Sequence, residues 1–264
     1  MSDKDEDDKK KVDFVIEIPE VVPLIKIADG RVVFPGLKFN INLSASQFLE
    51  ISEFLSQKPF VVLAPLTSDG KTFHVGVLGK SKLKEGSSNV LEFSSLIRAK
   101  FEEITIPQKH THARWSPIVD ISISTELAAS PTLQNLLRYL QDIFAEYLGN
   151  LAVNHPGRVD ELLNKPSVEF AIEKVNEVNA ENLSIALDGI MTVLNQVVVV
   201  SGDKKTDLLI PSLVVLAEPD LEIRLNRVIE LLYMLANEIQ QCGYQSREDA
   251  PAHEASEFRR RSDN

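Results

Sequence analysis

The chain has 264 residues, of which 44% are hydrophobic and 25% charged, with a net charge of −11 and a pI near 5.0. This length predicts one large domain or two small ones, and the composition is typical of a globular protein. The acidic balance disfavours nucleic acid and anionic membranes as main partners, because both attract a basic surface.

Cys242 is the single cysteine, which excludes an intrachain disulfide and any metal site built from several cysteines. No apolar run approaches the ~20 residues that a membrane-spanning helix needs, and the opening stretch MSDKDEDDKKK lacks the apolar core of a signal peptide. We therefore expect a cytoplasmic protein. The opening stretch is nearly all charged, so residues 1–13 are predicted to be a disordered tail.

Residues 14–125 mostly follow the period of two that is typical of strands. Segment LKFNINLS alternates apolar and polar side chains, which predicts a strand with one buried face. Four further strands are predicted at FVVLAPL, TFHVGVLGKSKL, SNVLEFSSLIRAKFEEITI and IVDISIS (residues 60–66, 72–83, 88–106 and 118–124).

One helix interrupts these strands. Ser44 and Gln47 have the spacing of a capping box, and the apolar residues that follow, Phe48, Ile51 and Leu55, lie on one helical face. Pro59 then ends the helix.

Residues 130–243 change to a period of 3.6. Ser130 and Pro131 form a good N-cap and first turn. Apolar stripes predict helices within residues 133–148, 168–175, 183–197 and 221–239, with Gly243 ending the last. Pro211 leaves segment TDLLIPSLVVL open between a helix with the proline in its first turn and a kinked helix. Residues 244–264 are predicted to be a second disordered tail.

The fold class that these patterns predict is α+β. We expect a β-rich subdomain over residues 14–125, with a twisted sheet or pseudo-barrel and one helix. An all-helical bundle follows over residues 130–243.

No catalytic, nucleotide or metal motif is complete. The Gly70-Lys71-Thr72 triplet lacks the earlier glycine of a phosphate-binding loop and precedes a predicted strand. His110 and His112 share a strand face but have no third ligand nearby, and Ser81 points away from Lys80 on a strand. We therefore expect no cofactor, no metal and no enzymatic activity.

Four aromatic residues of the β-rich part are the candidates for binding a polypeptide substrate: Phe34, Phe39, Phe73 and Trp115. Exposed aromatics anchor partner chains, but strand aromatics are more often buried, so core packing is the alternative for each. The net charge of −11 favours basic, hydrophobic clients.

The stretch VPLIKIADGRVVFPG (residues 22–36) resembles the opening motif of the Lon protease N-terminal domain family. Pro35 cannot donate to a sheet ladder and Gly36 permits a sharp turn, so the pair predicts a corner between strands.

Further motifs follow in the family's order. Residues 74–77 (HVGV) resemble its Val-Gly strand, Arg98 stands at its basic position, and LLRYLQDIFAEYL resembles its first bundle helix. Asp220, Arg224 and Leu225 resemble its Asp-x-x-x-Arg-Leu helix. The chain departs from the family at residues 92–94, where Glu-Phe-Ser replaces the usual Glu-Gly.

The resemblance implies a non-catalytic module that binds unfolded or tagged polypeptide substrates or a protease partner, and it leaves homo-oligomerisation open. No residues here match the ATPase and Ser–Lys peptidase domains of a full Lon protease. Two alternatives stay open, namely the N-terminal part of such an ATP-dependent protease and a small-molecule-binding domain.

Overall fold

The computed structural model describes residues 17–27, 32–66, 70, 72–87, 89–105, 111–163, 165–201 and 208–248. The predicted tail of residues 1–13, Lys71, His110 and most of the predicted C-terminal tail lie outside these ranges. No helix in the described ranges is both long and apolar enough to cross a membrane.

The architecture is α+β, as predicted. Six strands form one mixed sheet: β1 (Val21–Ile27), β2 (Lys38–Asn42), β3 (Phe60–Pro65), β4 (Val75–Leu83), β5 (Val90–Ile104) and β6 (His112–Pro117). Helix α1 (Ala45–Leu55) lies between β2 and β3 along the chain. The remaining helices follow the sheet: α2 (Thr125–Ala128), α3 (Pro131–Asn154), α4 (Pro156–Leu163), α5 (Pro166–Asn176), α6 (Leu183–Ser201), α7 (Leu209–Ala217) and α8 (Leu221–Glu248).

Five of the strands close into a barrel. Strand β1 pairs in parallel with β3, and antiparallel pairs then run from β3 through β4, β5 and β6 back to β1. Strand β5 is long enough, at 15 residues, to pair with β2 through its first part and with β6 through its last part. Within the described residues β2 therefore has β5 as its one neighbour and keeps one free edge.

The Pro-Gly corner before β2 is held from the opposite strand. Gly36 has φ of 89°, a conformation that favours glycine. The Ser95 hydroxyl of β5 accepts a hydrogen bond from the Leu37 N–H at 2.7 Å and donates one to the Phe34 carbonyl at 2.9 Å. The corner predicted from the sequence is confirmed, and it fixes the direction in which β2 leaves the barrel.

Two helix starts also follow the sequence prediction. Ser44 and Gln47 form the complete capping box of α1. The Ser130 side chain accepts from the Leu133 N–H at the start of α3, with Pro131 in the first turn. These caps use backbone groups that would otherwise lack partners, so they act locally and can be predicted from spacing.

The structure corrects or completes the sequence prediction at several places. Segment 118–124 is not a strand: Val119 is 72% exposed, and Ile121 forms only an isolated bridge, to Asp220. Helices α2 and α4 were not predicted, because each is short, with four and eight residues. Pro211 lies in the first turn of α7, which resolves the ambiguity there. Helix α8 continues past Gly243, since one glycine costs a helix only about 1 kcal/mol.

The core joins the two parts of the chain. One hydrophobic cluster contains Phe34, Leu91 and Phe93 from the β-rich part together with Leu140, Leu194 and other helix residues. A second cluster fills the barrel with nine buried side chains from β1, β3, β4, β5 and β6, including Val62 and Leu78. The first cluster therefore gives the β-rich and helical parts a shared apolar core.

An ionic cluster also bridges the two parts. Arg98 of β5 donates to the carbonyls of Leu216 at 3.0 Å and Glu218 at 2.7 Å, at the C-terminal end of α7, and pairs with Asp120. Arg224 of α8 donates to the same carboxylate at 3.0 Å. Burial, followed by the neighbouring Arg224 charge, lowers the pKa of Arg98.

The second half of this cluster lies against α6. Arg224 donates to Asp188 at 2.5 Å, and Asp120 accepts from the Ser184 hydroxyl at 2.5 Å. Asp220 accepts from the backbone N–H groups of Glu222 and Ile223, so it caps α8. In the Asp-x-x-x-Arg-Leu motif, Asp220 thus caps a helix and Arg224 pairs with carboxylates. The buried Leu225 packs in the core.

Candidate functional site

A cleft of about 1060 Å³ lies between the sheet and the helices. On the sheet side it is lined by residues 25–27 at the end of β1 and by the whole segment 36–43, which contains β2. On the helix side the lining comes from residues 165–167 and Phe170 of α5 and from three residues of α6, namely Thr192, Asn195 and Gln196. This volume is at the upper end of ordinary ligand pockets.

The free edge of β2 borders this cleft. Side chains of a strand alternate between its faces, and all five residues of β2 line the cleft. Ser95 donates its N–H to the Leu37 carbonyl and Leu43 donates its N–H to the Asn89 carbonyl, both at 2.8 Å. Since backbone bonding alternates along an antiparallel strand, the N–H and C=O groups of the residues at 38, 40 and 42 point away from β5.

The helix wall of the cleft carries unused polar atoms. The Gln196 amide nitrogen donates to the Ser167 hydroxyl at 2.9 Å, but its carbonyl oxygen has no hydrogen-bond partner among the described residues. The Thr192 hydroxyl also lacks one there, although the residue is only 3% exposed. A buried polar atom without a partner costs about 1–3 kcal/mol, which a ligand group can recover.

Among the described residues, the charged ones that line the cleft are all lysines, in contrast to the acidic chain as a whole. Lys26 is paired with Glu103 at 2.8 Å. Lys38 and Lys165 have no carboxylate within salt-bridge distance in the described part of the chain. Lys165 is also the N-cap of α5 and makes no side-chain capping bond, so the positive end of that helix adds to the same side of the cleft.

Phe170 is an exposed aromatic residue of the cleft. It is 41% exposed, and the Lys174 ammonium lies 5.4 Å from its ring centroid. Its neighbours Val168, Ala171 and Val175 form the buried face of α5, so the ring stands off that face. The sequence contained this signal, because Phe170 falls outside the apolar stripe of its helix.

The four aromatic candidates from the sequence lie in different places. Phe39 lines the cleft and packs against Phe93, with ring centroids 5.6 Å apart. Phe34 is completely buried and Phe73 is partly buried against the main core. Trp115 packs against the barrel cluster and donates its indole N–H to the Pro19 carbonyl at 2.7 Å. The structure therefore brings only Phe39 of the four to the cleft.

Sequence reasoning missed the polar residues of α6. Thr192, Asn195 and Gln196 lie within a helix whose apolar residues are mostly buried, so their positions at i, i+3 and i+4 mark a polar stripe. Asn195 donates to the Met191 carbonyl at 2.8 Å and to the Ser212 hydroxyl at 3.1 Å, which joins α6 to α7. A polar stripe on a buried helix was the signal available in the sequence.

The described residues contain no group of three or more His, Cys, Asp or Glu side chains placed to hold a metal ion. Ser81 is buried on β4, whereas Lys80 and Lys82 are exposed, so the strand separates the hydroxyl from both neighbouring ammonium groups. The cleft itself offers backbone groups, amide and hydroxyl oxygens, lysines and aromatic surface. This set is suited to binding a ligand.

No family model matches the chain, and no curated protein matches it. Among solved structures, the N-terminal domain of a Mycobacterium avium complex Lon protease is similar over 81% of this chain and 98% of that chain, with 16% identity and a TM-score of 0.48. A Lon N-terminal domain protein from Xanthomonas campestris is similar over 68% of this chain and 97% of that chain, with 13% identity and a TM-score of 0.35. Both of these structures are Lon N-terminal domains.

Proposed function

We propose that the chain is a non-catalytic module that binds unfolded or tagged polypeptide in the cleft beside β2. The observation that carries the proposal is the position of this cleft along the unpaired edge of a strand. An open strand edge offers main-chain hydrogen bonds to any extended polypeptide, and a neighbouring cleft receives its side chains. Unfolded segments expose both their main-chain polar groups and their apolar side chains, whereas folded proteins bury most of these groups.

The aromatic side chains at the cleft support this class of ligand. Phe39 and Phe170 supply apolar surface on opposite walls, one from the sheet and one from the helices. Aromatic residues with partial exposure are the usual anchors of protein–protein contacts. The motif resemblance to Lon N-terminal domains independently points to polypeptide recognition.

Binding of a permanently unfolded protein, reduced and alkylated at its cysteines, tests the proposal by fluorescence anisotropy. We expect the labelled unfolded protein to bind and its native form not to bind. Phe170→Ala should weaken binding, because it removes exposed apolar surface from the cleft. Tyr233→Ala is the matched control, since Tyr233 is an exposed aromatic on α8 that does not line the cleft.

Loss of binding in the control as well as in Phe170→Ala would show that the cleft is not the site. Absence of any binding by the unfolded protein would contradict the proposal itself. The same preparation should hydrolyse neither ATP nor a casein-like substrate, and turnover that a substitution in this chain removes would contradict its non-catalytic part.

A further inference from the structure

We propose, in an inference that rests on the proposed function, that β2 binds one class of ligand. This ligand is an extended apolar segment flanked by acidic residues, which adds to the sheet as a further strand. The added strand would bond to the free edge of β2 and direct alternate side chains into the cleft. Its acidic flank would contact Lys38 and Lys165.

The first step is the backbone geometry of β2. Leu37 and Leu43 bond towards β5, so the N–H and C=O groups at 38, 40 and 42 are directed to the free edge. The outward N–H and C=O groups of these three residues can form a hydrogen-bond ladder with an antiparallel or parallel partner strand. Phe39 and Ile41 are partly buried, whereas the alternate residues 38, 40 and 42 are exposed, so the pleat already separates an apolar face from a polar one.

The second step is the unused polar atoms across the cleft. The Thr192 hydroxyl and the Gln196 carbonyl oxygen lack partners in the described part of the molecule. A strand paired with β2 has a second edge, whose N–H groups would otherwise be exposed. The Gln196 oxygen can accept a hydrogen bond from an N–H group on that edge, so the helix wall complements an extended chain.

The third step is charge. Lys38 on β2 and Lys165 at the start of α5 lie on opposite sides of the cleft, and neither has a carboxylate partner among the described residues. An acidic ligand side chain on either side would gain one ammonium group, and one beside α5 would also gain the positive end of that helix. The cleft therefore selects acidic flanks, which replaces the expectation of basic clients drawn from the net charge alone.

The same lysine argues against a second copy of this chain as the occupant. Edge lysines such as Lys38 typically discourage edge-to-edge pairing of two copies, because each copy adds positive charge to the shared edge. An acidic peptide meets no such repulsion. A polypeptide strand also uses the ladder of backbone groups, which an isolated anion leaves unpaired.

Matched peptides test the inference by fluorescence anisotropy. All carry the same alternating apolar segment, long enough to cover the five residues of β2, with either acidic or basic flanks. We expect the acidic peptide to bind about tenfold or more tightly than the basic one at low salt. The charge-reversal variants Lys38→Glu and Lys165→Glu should each reduce this preference.

Backbone substitutions test strand addition separately from charge. N-methylation of the alternate set of peptide amides that faces β2 should abolish binding, while methylation of the other set, which loses only the bond to the Gln196 oxygen, should weaken it less. Asn40→Pro removes an outward N–H and should weaken binding about tenfold, whereas Asn40→Ala keeps the N–H and should not. The methylated peptides carry the test if the proline variant does not fold.

The outcomes separate this inference from the proposed function. Equal binding of acidic and basic peptides, or binding insensitive to N-methylation in both sets, overturns the inference even if the unfolded protein still binds. Failure of every peptide and of the unfolded protein overturns both. Light scattering that shows a dimer dissociated by Asn40→Pro would make a second copy the occupant and overturn the acidic-strand assignment.

Discussion

Arg224 is the residue whose removal tests how the sheet and helices are held together. It is completely buried and donates to Asp188 at 2.5 Å, to Asp120 at 3.0 Å and to the Ser184 hydroxyl at 3.2 Å. The substitution Arg224→Met fills a similar volume but removes the charge. Asp120 keeps Arg98, whereas Asp188 loses the one cation among the described residues that bonds to it.

The expected cost follows from leaving Asp188 buried and unpaired. Removing one partner of a buried ion pair typically costs about 3–5 kcal/mol. For a chain of this size, that corresponds to a fall in Tm of about 6–20 °C. Urea unfolding at pH 7.5, followed by far-UV circular dichroism, measures the difference in the free energy of unfolding.

A double variant isolates the cause. Asp188→Asn combined with Arg224→Met removes the buried negative charge, so it should recover about 2 kcal/mol or more of the loss. The cost of Arg224→Met alone should also shrink at pH 5, because Asp188 can then take up a proton. A cost below about 1 kcal/mol, or a double variant no more stable than Arg224→Met, would refute the assignment of the ion pair as the connection.

Three further predictions concern the sheet, the buried carboxyl and the tryptophan. Gly76→Ala should destabilise the chain by several kcal/mol in urea unfolding, because its Cβ would lie 2.2 Å from the Leu63 carbonyl oxygen; Gly149→Ala, with open space around it, is the control and should be neutral or slightly stabilising. Burial raises the pKa of Asp188 from 3.8 to about 6, against the opposing effect of its arginine partners. The folded state thus binds this proton more tightly than the unfolded state. The resulting contribution to the free energy of unfolding is fully present below pH 3.8 and is lost as the pH rises through 6. The stability of the wild type relative to Asp188→Asn should therefore fall by about 2 kcal/mol between pH 4 and pH 7, and a flat difference would contradict the raised pKa. Trp115 does not line the cleft, so its fluorescence should stay unchanged when a peptide binds, and a clear shift would place the ligand elsewhere.

Part of the candidate site could be predicted from residue patterns. Phe39 was a candidate because it lies on an alternating strand, and the structure brings it to the cleft. Phe34 and Trp115 belong to the same aromatic class, but packing places one in the main core and the other against the barrel. Whether a strand aromatic faces the core or a cleft depends on which element covers it, and that element is distant in sequence.

The sequence by itself determined the features that neighbouring residues decide. The capping box of Ser44, the N-cap of Ser130 and the corner at Gly36 follow from local backbone bonds and steric limits. The period of apolar residues likewise determined the α+β class, because each element must bury one face. These constraints act within a few residues and are therefore visible in spacing alone.

Only the tertiary structure decided where a ligand can bind. Strand β2 has a free edge because β6 returns to β1 and β5 and closes the barrel without it. The cleft then exists because α5 and α6 pack beside that edge, while Arg98, Asp120 and Arg224 join the sheet to the helices. Each of these contacts pairs groups far apart in sequence, so their geometry depends on the packing of the whole chain, which no local pattern encodes.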